Sequence, residues 1–125
     1  MVIEEGKNLA DVLNFEIDKN YCREVVMVAS GQNLKLGAVV GIVTATGAAK
    51  IVSVDPEEED GSDVAVGVVL ENVDATSGAK SAVIVTRIAT VVADGIVFPN
   101  GATDAQKKKI TKDLDARGVV IKKTV

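Results

Sequence analysis

Residues 24–47 read EVVMVASGQNLKLGAVVGIVTATG. Two aliphatic runs rich in Val, 24–29 and 38–46, flank the turn cluster Ser30-Gly31-Gln32-Asn33 and a short stretch closed by Gly37. Val and Ile are stiff at χ1 and suit a pleated surface, while Ser, Gly and Asn favour turns. The stretch predicts two short strands with a tight connection. Gly41, inside the second run, predicts a bulge or a close backbone approach.

The same pattern continues in both directions. Residues 49–54 predict a third strand and 64–73 a fourth, with Gly67 inside it. Between them, 55–63 (DPEEEDGSD) is a polar loop. Residues 74–80 form a turn region. Residues 81–93 (SAVIVTRIATVVA) predict the longest β segment, too long to run straight and expected to bend midway. Asp94-Gly95 is a hairpin-type dipeptide, followed by a short strand, 96–98.

One helix is written late in the chain. Thr103 and Gln106 make a T-x-x-Q capping box, and Asp104 suits the positive end of the helix dipole. Ile110 and Leu114 share one face at i, i+4 spacing, and Gly118 stops the helix after Arg117. A last strand begins at Val119. The total is six to eight strands and one helix.

Composition agrees. The chain has 125 residues, 23 of them Val and 9 Ile, so about a quarter is β-branched aliphatic. Phe15, Tyr21 and Phe98 are the three aromatic residues. The length suits one domain. A core of Val, Ile and Ala stabilises a fold modestly per residue, so burial of apolar surface in an oligomer would add to it.

The composition also excludes chemistry. With no His, there is no Ser-His-Asp or Cys-His machinery and no His-ligated metal. The lone Cys22 cannot form an internal disulfide and reads as a free structural thiol. The start, MVIEEGKN, lacks the basic and apolar regions of a secretory signal. No apolar run is long enough to span a membrane. The expected place of synthesis is a reducing cytoplasm.

Charge is unevenly placed. Residues 1–100 carry seven Lys and Arg against fifteen Asp and Glu, and residues 101–125 carry seven against three. Lys107, Lys108 and Lys109 fan through about 200° of a helix and have no interleaved aromatics, so they read as a solvated face and not as a nucleic-acid site. Glu57, Glu58, Glu59, Asp60 and Asp63 lack the alternating oxygen ligands of a calcium loop. No phosphate-binding glycine loop is present. The expectation is no catalytic residue, no cofactor and no metal.

Residues 1–20 (MVIEEGKNLADVLNFEIDKN) have no helical period. Leu13, Phe15 and Ile17 alternate weakly. The segment reads either as a frayed terminus or as an arm that orders on a partner by adding a strand.

Residues 21–32 (YCREVVMVASGQ), 36–44 (LGAVVGIVT) and 64–70 (VAVGVVL), the long 81–93 segment and the tail ADGIVFPNGATDAQKKKITKDLDARGVVI together resemble the phage head decoration proteins, the lambda-type family. The resemblance covers roughly residues 13–125. It implies a mainly β domain of β-tulip or β-clip type, with short hairpins, one late α-helix and an extended N-terminal arm. It implies an arm over 1–20, flexible until bound, and a single decoration domain over 21–125. Leu13, Phe15, Ile17 and Tyr21 would be the capsid-binding residues.

The implied function is capsid decoration. Homotrimers would bind the major capsid protein at three-fold positions on the outer surface of an expanded head and cement it against DNA pressure. No direct contact with nucleic acid or membrane is implied. Deleting residues 1–17 should then leave the fold intact and abolish binding. Two other classes stay open on the residues alone. One is a carrier-type or small-ligand β-barrel subunit using Lys50 or Lys80, and the other a carboxylate enzyme using Asp94 with Glu71.

Overall fold

Stiff β-branched residues build ten short strands in the computed structural model, which describes residues 12–16, 18, 22–54 and 60–122. They are β1 (Leu13–Glu16), β2 (Arg23–Val28), β3 (Asn33–Leu34), β4 (Val39–Ile42), β5 (Ala49–Ile51), β6 (Gly67–Val69), β7 (Val73–Asp74), β8 (Lys80–Val85), β9 (Ala89–Val92) and β10 (Val119–Lys122). A helix, α1 (Asp104–Ala116), precedes β10. The domain is mainly β with one late helix, as the sequence predicts.

Five strands close a small barrel in the order β2-β5-β4-β6-β8. Beside it stand a three-stranded sheet, β1-β9-β10, and a two-stranded ribbon, β3-β7. Two apolar clusters result. Val28, Val40, Ala49, Val69, Ala82 and Ile84 group together, joined by Leu34, Ala38 and Val73. Val39, Val68 and Val85 instead join Ile110 and Leu114 of α1, Val91 and Val119 of the three-stranded sheet, and Val12 just before β1. Neighbours along a strand (Val39 and Val40, Val68 and Val69, Ile84 and Val85) thus serve different clusters, because successive side chains point to opposite faces. Burial on both faces is why these strands read as continuous aliphatic runs without alternation.

The helix is held at three places. Its capping box is complete: Thr103 Oγ1 accepts from Gln106 N–H at 3.2 Å, and Gln106 Oε1 accepts from Thr103 N–H at 2.8 Å. Gln106 Nε2 also donates to the Val54 carbonyl at 3.1 Å. Ile110 and Leu114 are buried. Lys109 and Asp113 pair at 2.9 Å, and they also bind the Asp63 carbonyl and the Ala65 N–H. Gly118, at φ 81°, takes the left-handed turn that leads into β10.

The long β segment does bend midway. It is β8 and β9, broken at 86–88, with Ile88 at φ 45°. A β-branched residue avoids that conformation. Its neighbourhood is pinned: the Cys22 thiol donates to the Ile88 carbonyl at 3.3 Å, and Ala89 N–H donates to the Gly118 carbonyl at 3.0 Å.

Three local expectations change. The run 38–46 is a strand only over β4, because 44–46 turn the chain into the β4–β5 hairpin. The run 64–73 splits into β6 and β7. At the break, the Glu71 carboxylate accepts from Val83 N–H and the Asn72 side-chain Oδ1 accepts from Leu36 N–H, so side chains replace ladder partners. Asp94-Gly95 makes no hairpin. It lies in a 3₁₀ turn, Ala93–Gly95, after which Val97 bridges Ala38 in parallel.

Gly41 is a close approach. A β-carbon there would stand 2.8 Å from Ser62 Cα and nearer still to the Ser62 carbonyl oxygen. The polar loop is thereby pressed onto the barrel wall. Its residues 55–59, including Glu57, Glu58 and Glu59, lie outside the described residues.

Candidate interaction surface

The base of the N-terminal segment is part of the domain. β1 pairs antiparallel with β9, whose other edge pairs in parallel with β10. Val12 is fully buried, and Leu13 packs against the core. The register slips between Leu13, opposite Val91, and Phe15, opposite Thr90. One extra residue in the bulge turns Phe15 to the opposite side from Leu13. Phe15 is 58% exposed and shares its sheet face with Thr90 and the exposed Val120.

Leu13 and Phe15 face opposite sides of the sheet, and residues 13–16 pair with β9. Deletion of 1–17 would strip β1 and the buried Val12 from the fold. Ile17 and Tyr21 lie outside the described residues.

A two-pronged ion pair secures β1 to the start of β2. Arg23 Nη2 and Nε donate to the two carboxylate oxygens of Glu16 at 2.6 and 3.0 Å, with both side chains largely buried. The next residue, Glu24, pairs with Arg87. Beyond these, Val25 is 72% and Met27 51% exposed, two apolar side chains on one face of β2. An open groove of about 470 Å³ lies elsewhere, between β3, the end of β5 and residues 97–100. Leu34, Ile51, Val54, Val97 and Phe98 are among its lining residues.

Of the groups capable of chemistry, Cys22, Lys50, Glu71 and Asp60 have structural partners, while Lys80 and Asp94 are exposed. Cys22 is buried. Lys50 lies within β5, 3.0 Å from Asp60, and not at an exposed hairpin tip. Lys80 is the first residue of β8 and pairs with Val28. Glu71 is bonded to the β8 backbone, and Asp94 sits in the 3₁₀ turn. Asp60 accepts from both the N–H and the hydroxyl of Ser62. Lys107 stands over the Phe98 ring, 5.6 Å from its centre. Among the described residues, no group of three or more His, Cys, Asp or Glu could hold a metal ion. No helix of the described residues is long and apolar enough to cross a membrane.

One carboxylate is electrostatically tuned. Asp74 is held below the usual carboxylate range by the Thr76 hydroxyl, which donates to it at 2.6 Å, and then by Thr76 N–H at 3.1 Å. This is the geometry of an exposed turn and not of a reacting centre. The described surface combines exposed apolar side chains with ion pairs closed between neighbouring strands. The exposure of Val25 and Met27 had no signal in the sequence, since EVVMVA has no polar alternation to assign its faces.

The family model of the bacteriophage lambda head decoration protein D matches residues 2–119 of the 125-residue chain. No curated protein matches the chain. The chain belongs to the lambda head decoration protein D family, a structural and not a catalytic family associated with the phage capsid.

Proposed function

We propose that this member of the head decoration family cements an expanded phage head. Homotrimers bind the major capsid protein on the outer surface at three-fold positions and stabilise the shell against the pressure of packaged DNA. The observation that carries this reading is the family match, which runs over nearly the whole chain. The character of the surface supports it. Cementing needs a rigid body and many modest contacts, and three linked copies raise apparent affinity through effective concentration.

Within this reading the N-terminal segment makes the first contact. Residues 1–11 reach the shell, β1 fixes their base to the domain, and Phe15 extends the contact along the exposed face of the three-stranded sheet. Leu13 acts from the core by holding β1 in place. Ile17 and Tyr21 are assigned to the same contact.

The test is electron microscopy of the protein mixed with expanded and with unexpanded shells. Density at three-fold positions on expanded shells alone, with raised resistance to heat-driven DNA release, is expected. Equal binding to both shells, or none, rejects the reading. A truncation of residues 1–11 should keep the melting transition and lose shell binding.

A further inference from the structure

Among the described residues, β2 has one satisfied edge and one open edge. Along the first, all six residues pair with β8, from Arg23 opposite Val85 to Val28 opposite Lys80. Along the second, β5 meets β2 only at Val28, opposite Ala49, where Ala29 N–H donates to the Ala49 carbonyl at 2.8 Å.

The hydrogen-bond alternation shows which groups face the open edge. Val83, opposite Val25, donates its N–H to Glu71 and accepts from Leu70 N–H at 3.0 Å. Val25 and Val83 are therefore a non-hydrogen-bonded pair, and the N–H and C=O of Val25 point away from β8. Cys22, whose carbonyl accepts from Thr86 N–H at 2.8 Å, sets the same phase. By that phase Met27 N–H also points outward. No partner for these three backbone groups lies among the described residues.

Exposed strand edges are templates for a further strand, and proteins commonly blunt them with charge or proline. Among the described residues nothing blunts this edge. The two charged residues of the strand, Arg23 and Glu24, are closed in pairs with Glu16 and Arg87. The side chains beside the free groups are the exposed Val25 and Met27. The edge thus offers backbone dipoles and apolar side chains with its charges paired.

We propose that the open edge of β2 at Val25–Met27 accepts an extended segment of the capsid protein, which adds as a strand. Strand addition uses the backbone groups for affinity and alternate side chains for specificity. The incoming segment carries uncharged, apolar residues at alternate positions, matching Val25 and Met27. The proposal rests on the decoration reading. Continuity favours the shell as the source: the segment assigned to capsid contact leads directly into β2, and Glu16 is tied to Arg23. A second copy pairing through the same edge would close a two-fold dimer, not a trimer.

Amide hydrogen exchange on the full-length protein, free and bound to expanded shells, tests this. In the free protein the amides of Val25 and Met27 should exchange fast, while those of Glu24 and Val26, directed at β8, are protected. On shells the Val25 and Met27 amides should become protected. Val25→Pro removes the outward N–H without breaking a bond to β8 and should lower shell affinity roughly tenfold or more. The double variant Val25→Lys with Met27→Lys, which keeps the backbone, should do the same with the melting transition retained. Shell binding with Val25 and Met27 still unprotected overturns the edge assignment and leaves decoration standing. Failure to bind shells at all overturns both. Protection that appears in free protein as concentration rises, with dimers forming, assigns the edge to a second copy and overturns the proposal.

Discussion

Leu13 and Phe15 stand two residues apart on β1 and face opposite sides of its sheet, Leu13 against the core and Phe15 toward solvent. Two residues apart on a regular strand share a face, so the bulge decides which of them is structural and which is free for a partner. Leu13→Ala should cost about 1–2 kcal/mol, since the side chain is only partly buried. Phe15→Ser should stay within about 0.5 kcal/mol of the parent, as exposed substitutions do, yet weaken binding to expanded shells. Urea unfolding alongside shell sedimentation separates the two effects. Equal destabilisation by both would contradict the bulge.

Gly41 carries the contact between the barrel and the polar loop. Gly41→Ala forces a β-carbon into the Ser62 backbone, which neither side can clear by rotating a side chain. The expected cost is about 1–3 kcal/mol, in the range of overpacked cores. A shift of the urea midpoint with an unchanged slope is the signature.

The helix start offers a smaller and cleaner test. Thr103→Ala removes the acceptor for Gln106 N–H and should cost about 1 kcal/mol, whereas Thr103→Ser should cost little. Thermal melts of the two variants are the measurement. Equal losses would mean that the Thr methyl, not the cap, is what matters.

Glu16 and Arg23 form two parallel charge-assisted bonds in a largely buried setting. A double-mutant cycle with Glu16→Gln and Arg23→Met should return a coupling of about 1 kcal/mol or more, above the usual exposed pair. Additive single effects would show that the two residues act independently.

Asp74 gives the pH dependence a direction. Its value is lowered in the folded state by the Thr76 hydroxyl and then Thr76 N–H. Its contribution is present above the ordinary carboxylate value and is lost as pH falls through the lower folded value. Thr76→Val removes the larger cause and should move Asp74 back toward the ordinary value. The carboxyl carbon shift of Asp74, followed by NMR through an acid titration, reads this directly.

Much of the fold was legible because its causes are local. The capping box at Thr103 and Gln106, the Gly118 stop and the turn at 30–33 depend on groups a few residues apart. The approach at Gly41 was legible as a position but not as a partner, since Ser62 lies far along the chain. The split of 64–73 into β6 and β7 was hidden. It depends on Glu71 and Asn72 reaching the backbone at Val83 and Leu36. Phe15, like Tyr21, stood out among the candidate contact residues as an aromatic in a chain with few. The bulge that exposes it depends on pairing with β9, which no local pattern encodes.

Residue types alone determined that this chain is mainly β, carries one capped helix, and lacks the histidines and paired cysteines on which much site chemistry depends. Side-chain stiffness, capping and the donor inventory are properties of single residues and near neighbours. Tertiary structure alone decided which aliphatic residues are core and which are surface. Strands such as EVVMVA are apolar at nearly every position, so only the way β2 is set into the barrel decides that Val25 and Met27 face solvent. Facing is a property of a strand and its partner together.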